Sequence, residues 1–150
     1  MTRVQIIEEL KQFFNIKELV CEHVYAKHGF NSWQFLQTDL LHVLLIIRRD
    51  ILKVPMVVNA GVSKQRGLRC NLCPLVQEKT KNNKVYISGH QQGIAVDAIS
   101  SYMSAAEMRS KIIAEQYKLP CNIRMEDDVT WLHVDTRPTP NNEKVYLFKA

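Results

Sequence analysis

The chain has no apolar run able to cross a bilayer. Its longest, Leu40 to Ile47, is broken by His42 and falls far short of the ~20 residues that a spanning helix needs. The opening MTRVQIIEELKQFF carries acids where a targeting signal needs an unbroken apolar centre, so no export signal is expected. Low-complexity tracts, repeats and linkers are lacking, and 150 residues are expected to form one domain, 1–150. A chain of this length buries roughly two-thirds of its unfolded surface and needs no disulfide staple. The four cysteines, at 21, 70, 73 and 121, are therefore expected to be reduced. Cys70-Asn71-Leu72-Cys73 is a CxxC pair, but no second pair completes a zinc knuckle, and two reduced thiols in a loop is the expectation. Net charge is +5, in short clusters: Arg48-Arg49, then Lys64, Arg66 and Arg69, then Lys79, Lys81 and Lys84. No aromatic residues interleave them and no nucleic-acid motif is present. A polyanionic target suits the charge, but no nucleic-acid partner is expected.

What is present reads as helices first and strands later. Val4, Ile7, Leu10 and Phe14 recur at helical spacing behind a Thr2/Gln5 capping box. Asn15 is a second N-cap, with Ile16, Leu19, Val20 and Val24 as the stripe and Gly29 as the stop. A third helix, starting at Ser32 or Thr38, runs to about Ile51. Pro55 to Val58 reads as a short strand, and residues 61–84 as an aperiodic loop of a length that usually carries function. Val85 to Ile87 and Ile94 to Ile99 read as strands. Ser104 and Glu107 form a capping box for a helix ending before Pro120. Asn122 to Met125 and Thr130 to Asp135 are a strand pair, and Val145 to Phe148 closes the chain. The fold class is α+β, with N-terminal helices packed on a small antiparallel sheet.

The string Ser88 to Asp97, SGHQQGIAVD, is the most informative segment. Gly89 and Gly93 bracket a turn that lets backbone lie close to an ion. Asp97 is an acid in an otherwise apolar strand, which is costly unless it is paired or coordinated. In Trp131-Leu132-His133-Val134-Asp135, alternation puts Trp131, His133 and Asp135 on one face, so His133 gains an acid as a supporting partner. His90, Asp97 and His133 are thus the candidate metal ligands. Three protein ligands leave zinc a position for water, and such water becomes a nucleophile near neutral pH. A general base is then needed. Glu126, at a strand end, is the first candidate and Asp127 the second. His23, His28 and His42 have no acid or cysteine at ligand spacing and read as ordinary surface or core histidines.

The first motif, Ser88, His90, Gly93, Ala95 and Asp97, with Trp131, His133 and Asp135 after it, resembles the zinc D-alanyl-D-alanine carboxypeptidase and L-alanyl-D-glutamate endopeptidase family. Its fold is shared with hedgehog signalling domains. The likeness runs over about residues 13–149, through FNIKEL at 14–19, RRDILKVPMVVN at 48–59 and the Arg66-Gly67-Leu68-Arg69 loop found in phage and prophage members. The resemblance implies Zn2+ on His90, Asp97 and His133, with Ser88 as a hydroxyl near the substrate and Arg66 or Arg69 holding a substrate carboxylate. Many relatives carry the catalytic acid three residues before the last histidine, where Thr130 stands here. Other relatives place it at the position of Asp127, and a one-residue insertion would place it at Glu126. The expectation is a monomeric phage or prophage lysis peptidase that cuts peptidoglycan stem peptides. It would be made in the cytoplasm and act at the wall after release, or be carried in a virion. The alternative is a catalytically impaired zinc protein serving a phage as a structural or wall-binding piece.

Overall fold

Thr2 starts helix α1 (Arg3–Leu10) by accepting from the Gln5 N–H while the Gln5 side chain accepts from the Thr2 N–H, so two orphan donors of the first turn are satisfied. The buried positions are Ile6 and Leu10, with Phe14 beyond them, and Val4 faces solvent. Arg3 decides this rotation. Its guanidinium donates to the Trp33 and Leu36 carbonyls and to Thr38 Oγ1, which turns the Arg3–Ile6–Leu10 side inward in place of the Val4 side.

The second expected helix is broken in two. Asn15 caps α2 (Ile16–Leu19), but Val20 is extended and bridges Leu68, and α3 (Glu22–His28) begins only after Cys21. The Leu19 carbonyl and the Cys21 N–H bond to Leu68 at 2.9 and 2.8 Å, a pairing that an unbroken helix would forbid. Gly67 makes the approach possible, since a Cβ there would meet the Leu19 carbonyl oxygen at 2.2 Å. The third helix, α4 (Thr38–Ile46), runs on as a π-helical turn, Ile47–Leu52.

All 150 residues are described in this computed structural model, which is α+β with six α-helices and a four-stranded sheet. Within 61–84, expected to be loop throughout, Pro74–Lys81 forms helix α5. Only Val76 of α5 is buried. One valine contributes ~1.5–3 kcal/mol, against ~1–2 kcal/mol for ordering each backbone residue, so the apolar face of α5 does not hold it. The 85–87 run forms no strand, and Val85 and Ile87 are exposed. Residues 55–58 give only a single bridge, Val57 to Ile99.

The strands are β1 (Ala95–Ala98), β2 (Ile123–Glu126), β3 (Leu132–Asp135) and β4 (Val145–Phe148), in the order β1-β3-β2-β4. Helix α6 (Ala105–Ala114) lies between β1 and β2 in sequence, capped by Ser104 and Glu107 as expected. The sheet is mixed, not antiparallel, because β4 runs parallel to β2. Both edges of β3 are taken, by β1 and β2, so the returning strand adds to the free edge of β2, where it runs in the same direction. The inner face, including Val96, Ala98, Leu132 and Val134, packs on Leu40, Val43, Leu44 and Ile47. Period-two alternation then sends Ala95, Asp97, Arg124, Glu126, His133 and Asp135 to the opposite face. No helix is long and apolar enough to cross a membrane.

Candidate functional site

Register brings the first histidine–acid–histidine set together. Asp97 on β1 sits opposite His133 on β3, and Ala95 sits opposite Asp135. His90 arrives from the turn before β1. That turn is tied by the Ser88 hydroxyl accepting from the Gln91 N–H at 3.2 Å, and by the Ser88 N–H donating to Gln91 Oε1 at 3.0 Å. Gly93 closes it at φ +70, and a Cβ there would lie 2.0 Å from the Phe35 carbonyl oxygen. Its missing side chain thus makes room for the backbone before α4, where an ion had been expected.

The ligating atoms of His90, Asp97 and His133 all lie within 4.8 Å of one another. His90 Nδ1–H donates to the Gly67 carbonyl at 2.9 Å. A carbonyl only accepts, so in the neutral ring the lone pair is on Nε2, 3.3 Å from Asp97 Oδ2. Two donors sharing a tetrahedral zinc at ~2.0–2.2 Å stand about 3.4 Å apart. His133 faces a carboxylate at each nitrogen, Nδ1 with Asp97 Oδ1 at 2.7 Å and Nε2 with Asp135 Oδ2 at 3.1 Å. Asp135 is itself gripped by Arg124, Nε to Oδ1 at 2.9 Å and Nη2 to Oδ2 at 2.8 Å. A histidine held by a carboxylate at one nitrogen, with the other turned to a shared centre, is the arrangement that orients metal-binding imidazoles.

The electrostatics agree. Burial works against charge on His133, but the Asp135 and Asp97 carboxylates outweigh it and raise its pKa to about 9. Burial likewise opposes ionisation of Asp97, yet hydrogen bonds from His133 and His90 hold its carboxyl well below the usual range. Each carboxylate already faces a guanidinium, Asp135 that of Arg124 at 2.8 Å and Asp97 that of Arg69 at 3.7 Å, and a proton on His133 or a divalent cation would add to that positive charge. The donor set, two imidazoles and a carboxylate, fits zinc.

The cleft over this group has a volume of about 350 Å³, and its lining includes Arg69, Ser88, Arg124, Glu126, Trp131 and Arg137. A larger hollow of about 540 Å³, between α2, α3 and Asn59–Lys64, contains neither histidine nor cysteine, whereas the smaller cleft holds His90, Asp97 and His133. Of the two candidate bases, Glu126 lines the cleft. Asp127 does not, and its Oδ1 is 3.7 Å from Arg109 Nε. Of the two candidate arginines, Arg69 lines the cleft with Nη2 3.7 Å from Asp97 Oδ2. The Arg66 side chain stays outside it. Its backbone serves β1 instead, the carbonyl accepting from the Asp97 N–H at 2.8 Å.

Arg124 and the Gly67 carbonyl are site groups beyond those expected from the sequence. Alternation along β2 pointed to the first, whereas nothing in residue identity marks the second. A second group of metal-ligating side chains also gathers here, Cys21, His23, Cys70 and Cys73. Cys70 and Cys73 are reduced as expected, but they do not stand alone, for His23 Nδ1 lies 3.5 and 3.9 Å from their sulfurs. The partner of the CxxC pair is the Cys21-x-His23 pair, which lies 47 residues upstream when measured from His23 to Cys70. Comparison with protein-family models, with curated proteins and with solved structures finds no match for this chain.

Proposed function

We propose that the chain is a zinc peptidase of the hedgehog/DD-peptidase fold, hydrolysing the stem peptides of bacterial peptidoglycan. The observation that carries the reading is the convergence of His90, Asp97 and His133 on one point, each histidine turned by a separate acceptor. Bound zinc supplies a Lewis acid that polarises a carbonyl and brings the pKa of water toward neutrality. Glu126, on the cleft face of β2, takes the proton of the attacking water and returns it to the leaving amine. Arg69, with Arg137 also in the lining, favours a substrate bearing carboxylates, as stem peptides do. Trp131 offers an apolar wall. Ser88 is committed to the turn through Gln91, so its part is to position His90.

The rival is a zinc protein that binds the wall without cutting it. Thr130, where many members of the resembling family carry an acid, favours that reading, as does Asp127 paired with Arg109. Glu126 in the cleft favours catalysis. The test is incubation of zinc-loaded protein with purified sacculi, with and without chelator, with mass spectrometry of the soluble products. New amino or carboxyl termini that vanish with chelator are expected. Their absence with zinc present would remove the peptidase reading.

A further inference from the structure

We infer that Cys21, His23, Cys70 and Cys73 form a second, closed zinc site whose role is to hold the arginine-bearing loop against the first. This inference rests on the four side chains themselves and not on the peptidase reading.

The geometry is that of a four-ligand centre. All four ligating atoms lie within 4.8 Å of one another. His23 Nδ1 stands 3.5 Å from Cys70 Sγ and 3.9 Å from Cys73 Sγ. Zinc bonded at ~2.3 Å to sulfur and ~2.0–2.1 Å to nitrogen in a tetrahedron puts sulfur and nitrogen about 3.6 Å apart. No disulfide competes, for all four cysteines of the chain are free. The CxxC segment is turned as a metal knuckle requires. The Cys73 N–H donates to the Cys70 carbonyl at 3.1 Å, and the Leu72 N–H donates to Cys70 Sγ at 3.3 Å. Three cysteines and one histidine fill a tetrahedron, so the site has no place for substrate water and is structural in type. One Zn2+ displaces three thiol protons to solvent, leaving three thiolates and a neutral imidazole around the ion.

The location gives the site a task. Cys21, Cys73 and Val76 form a small buried cluster separate from the main core, and Val76 alone is buried from α5. Cross-linking by metal supplies what apolar burial there does not. The same link braces residues 66–70. Cys21 N–H bonds to the Leu68 carbonyl at 2.8 Å, and Arg69 N–H to the His90 carbonyl at 3.1 Å. The Gly67 carbonyl fixes the His90 ring at 2.9 Å. A metal on the cysteines thus steadies the loop that orients a ligand of the first site and presents Arg69.

Elemental analysis of protein purified without chelator and offered zinc is expected to give two zinc ions per chain. The His90→Ala/His133→Ala double variant is expected to keep one. Cobalt(II) loaded into that double variant should show the intense near-ultraviolet charge-transfer bands of thiolate ligation, lost on further Cys70→Ser/Cys73→Ser substitution. Because losing two ligands endangers the fold, His23→Cys provides the control: it retains four ligands, should bind cobalt and should shift the visible bands. No zinc retained by the His90→Ala/His133→Ala variant, cobalt without thiolate bands, or cysteines that react with a thiol reagent equally fast before and after chelation would each overturn the inference. Protein with zinc on its cysteines that leaves sacculi intact would uphold this site and remove the peptidase reading alone.

Discussion

At the scale of single residues, the site depends less on its ligands than on what turns them. His90 and His133 are alike in type, but His90 is turned by a backbone carbonyl and His133 by Asp135. The meeting of Asp97 with His133 was legible from strand alternation, whereas Gly93, read as room for an ion, serves the Phe35 carbonyl instead. The Gly67 carbonyl was not legible, because a backbone acceptor leaves no trace in residue identity. The proposed base could be read from the sequence only as a choice between neighbours, and alternation along β2 separates them: Glu126 shares the face of Arg124, whereas Asp127 follows the strand end and turns to Arg109. Glu126→Gln is expected to lower kcat by ~10²–10⁴ while zinc content is unchanged. Asp127→Asn should leave kcat within a few-fold of wild type. Steady-state rates on a stem-peptide fragment, paired with zinc analysis of each variant, check this. A larger loss in Asp127→Asn than in Glu126→Gln would reverse the assignment.

At the scale of elements, two departures from the expected pattern share a cause: long-range pairing overrode local propensity. The break at Val20 exists because Leu68 pairs there, and β4 runs parallel because β3 has no free edge. The β2–β3 connection shows the same dependence. Arg109 on α6 is buried and donates to the Trp131 and Val129 carbonyls at 3.1 and 3.2 Å, so a helix far in sequence shapes the segment that carries Trp131. Arg109→Ala should cost ~1–3 kcal/mol, the range for stranding hydrogen-bond partners inside a fold. It should also speed amide exchange across 127–131 more than in β1. Hydrogen exchange read by mass spectrometry tests the second part, and uniform change across both segments would contradict it.

At the scale of the whole molecule, metal and fold are thermodynamically linked. An ion that binds only the folded chain stabilises it by ~2.7 kcal/mol at a hundredfold excess over its dissociation constant. For a domain of this size each kcal/mol is worth ~2–4 °C. Zinc should therefore raise Tm by roughly 5–10 °C at that excess, and Tm should keep rising as free zinc rises. Magnesium, which prefers octahedral oxygen ligands, should not substitute. Scanning calorimetry across a zinc series, with chelated protein as the reference, reads this directly. A Tm indifferent to zinc would mean that neither the histidine–carboxylate network nor the cysteine cluster holds an ion.

The sequence by itself determined the α+β class, the capped helices α1 and α6, the β2–β3 pair, and the strand face that Asp97 and His133 share. Each of these follows from local periodicity or capping chemistry, which neighbouring residues carry. Only the tertiary structure decided that Cys21 and His23 lie against Cys70 and Cys73, that Arg69 rather than Arg66 enters the cleft, and that β4 pairs in parallel. Those outcomes depend on which distant segment occupies a free strand edge or backbone donor, and such competition is settled only when the whole chain packs.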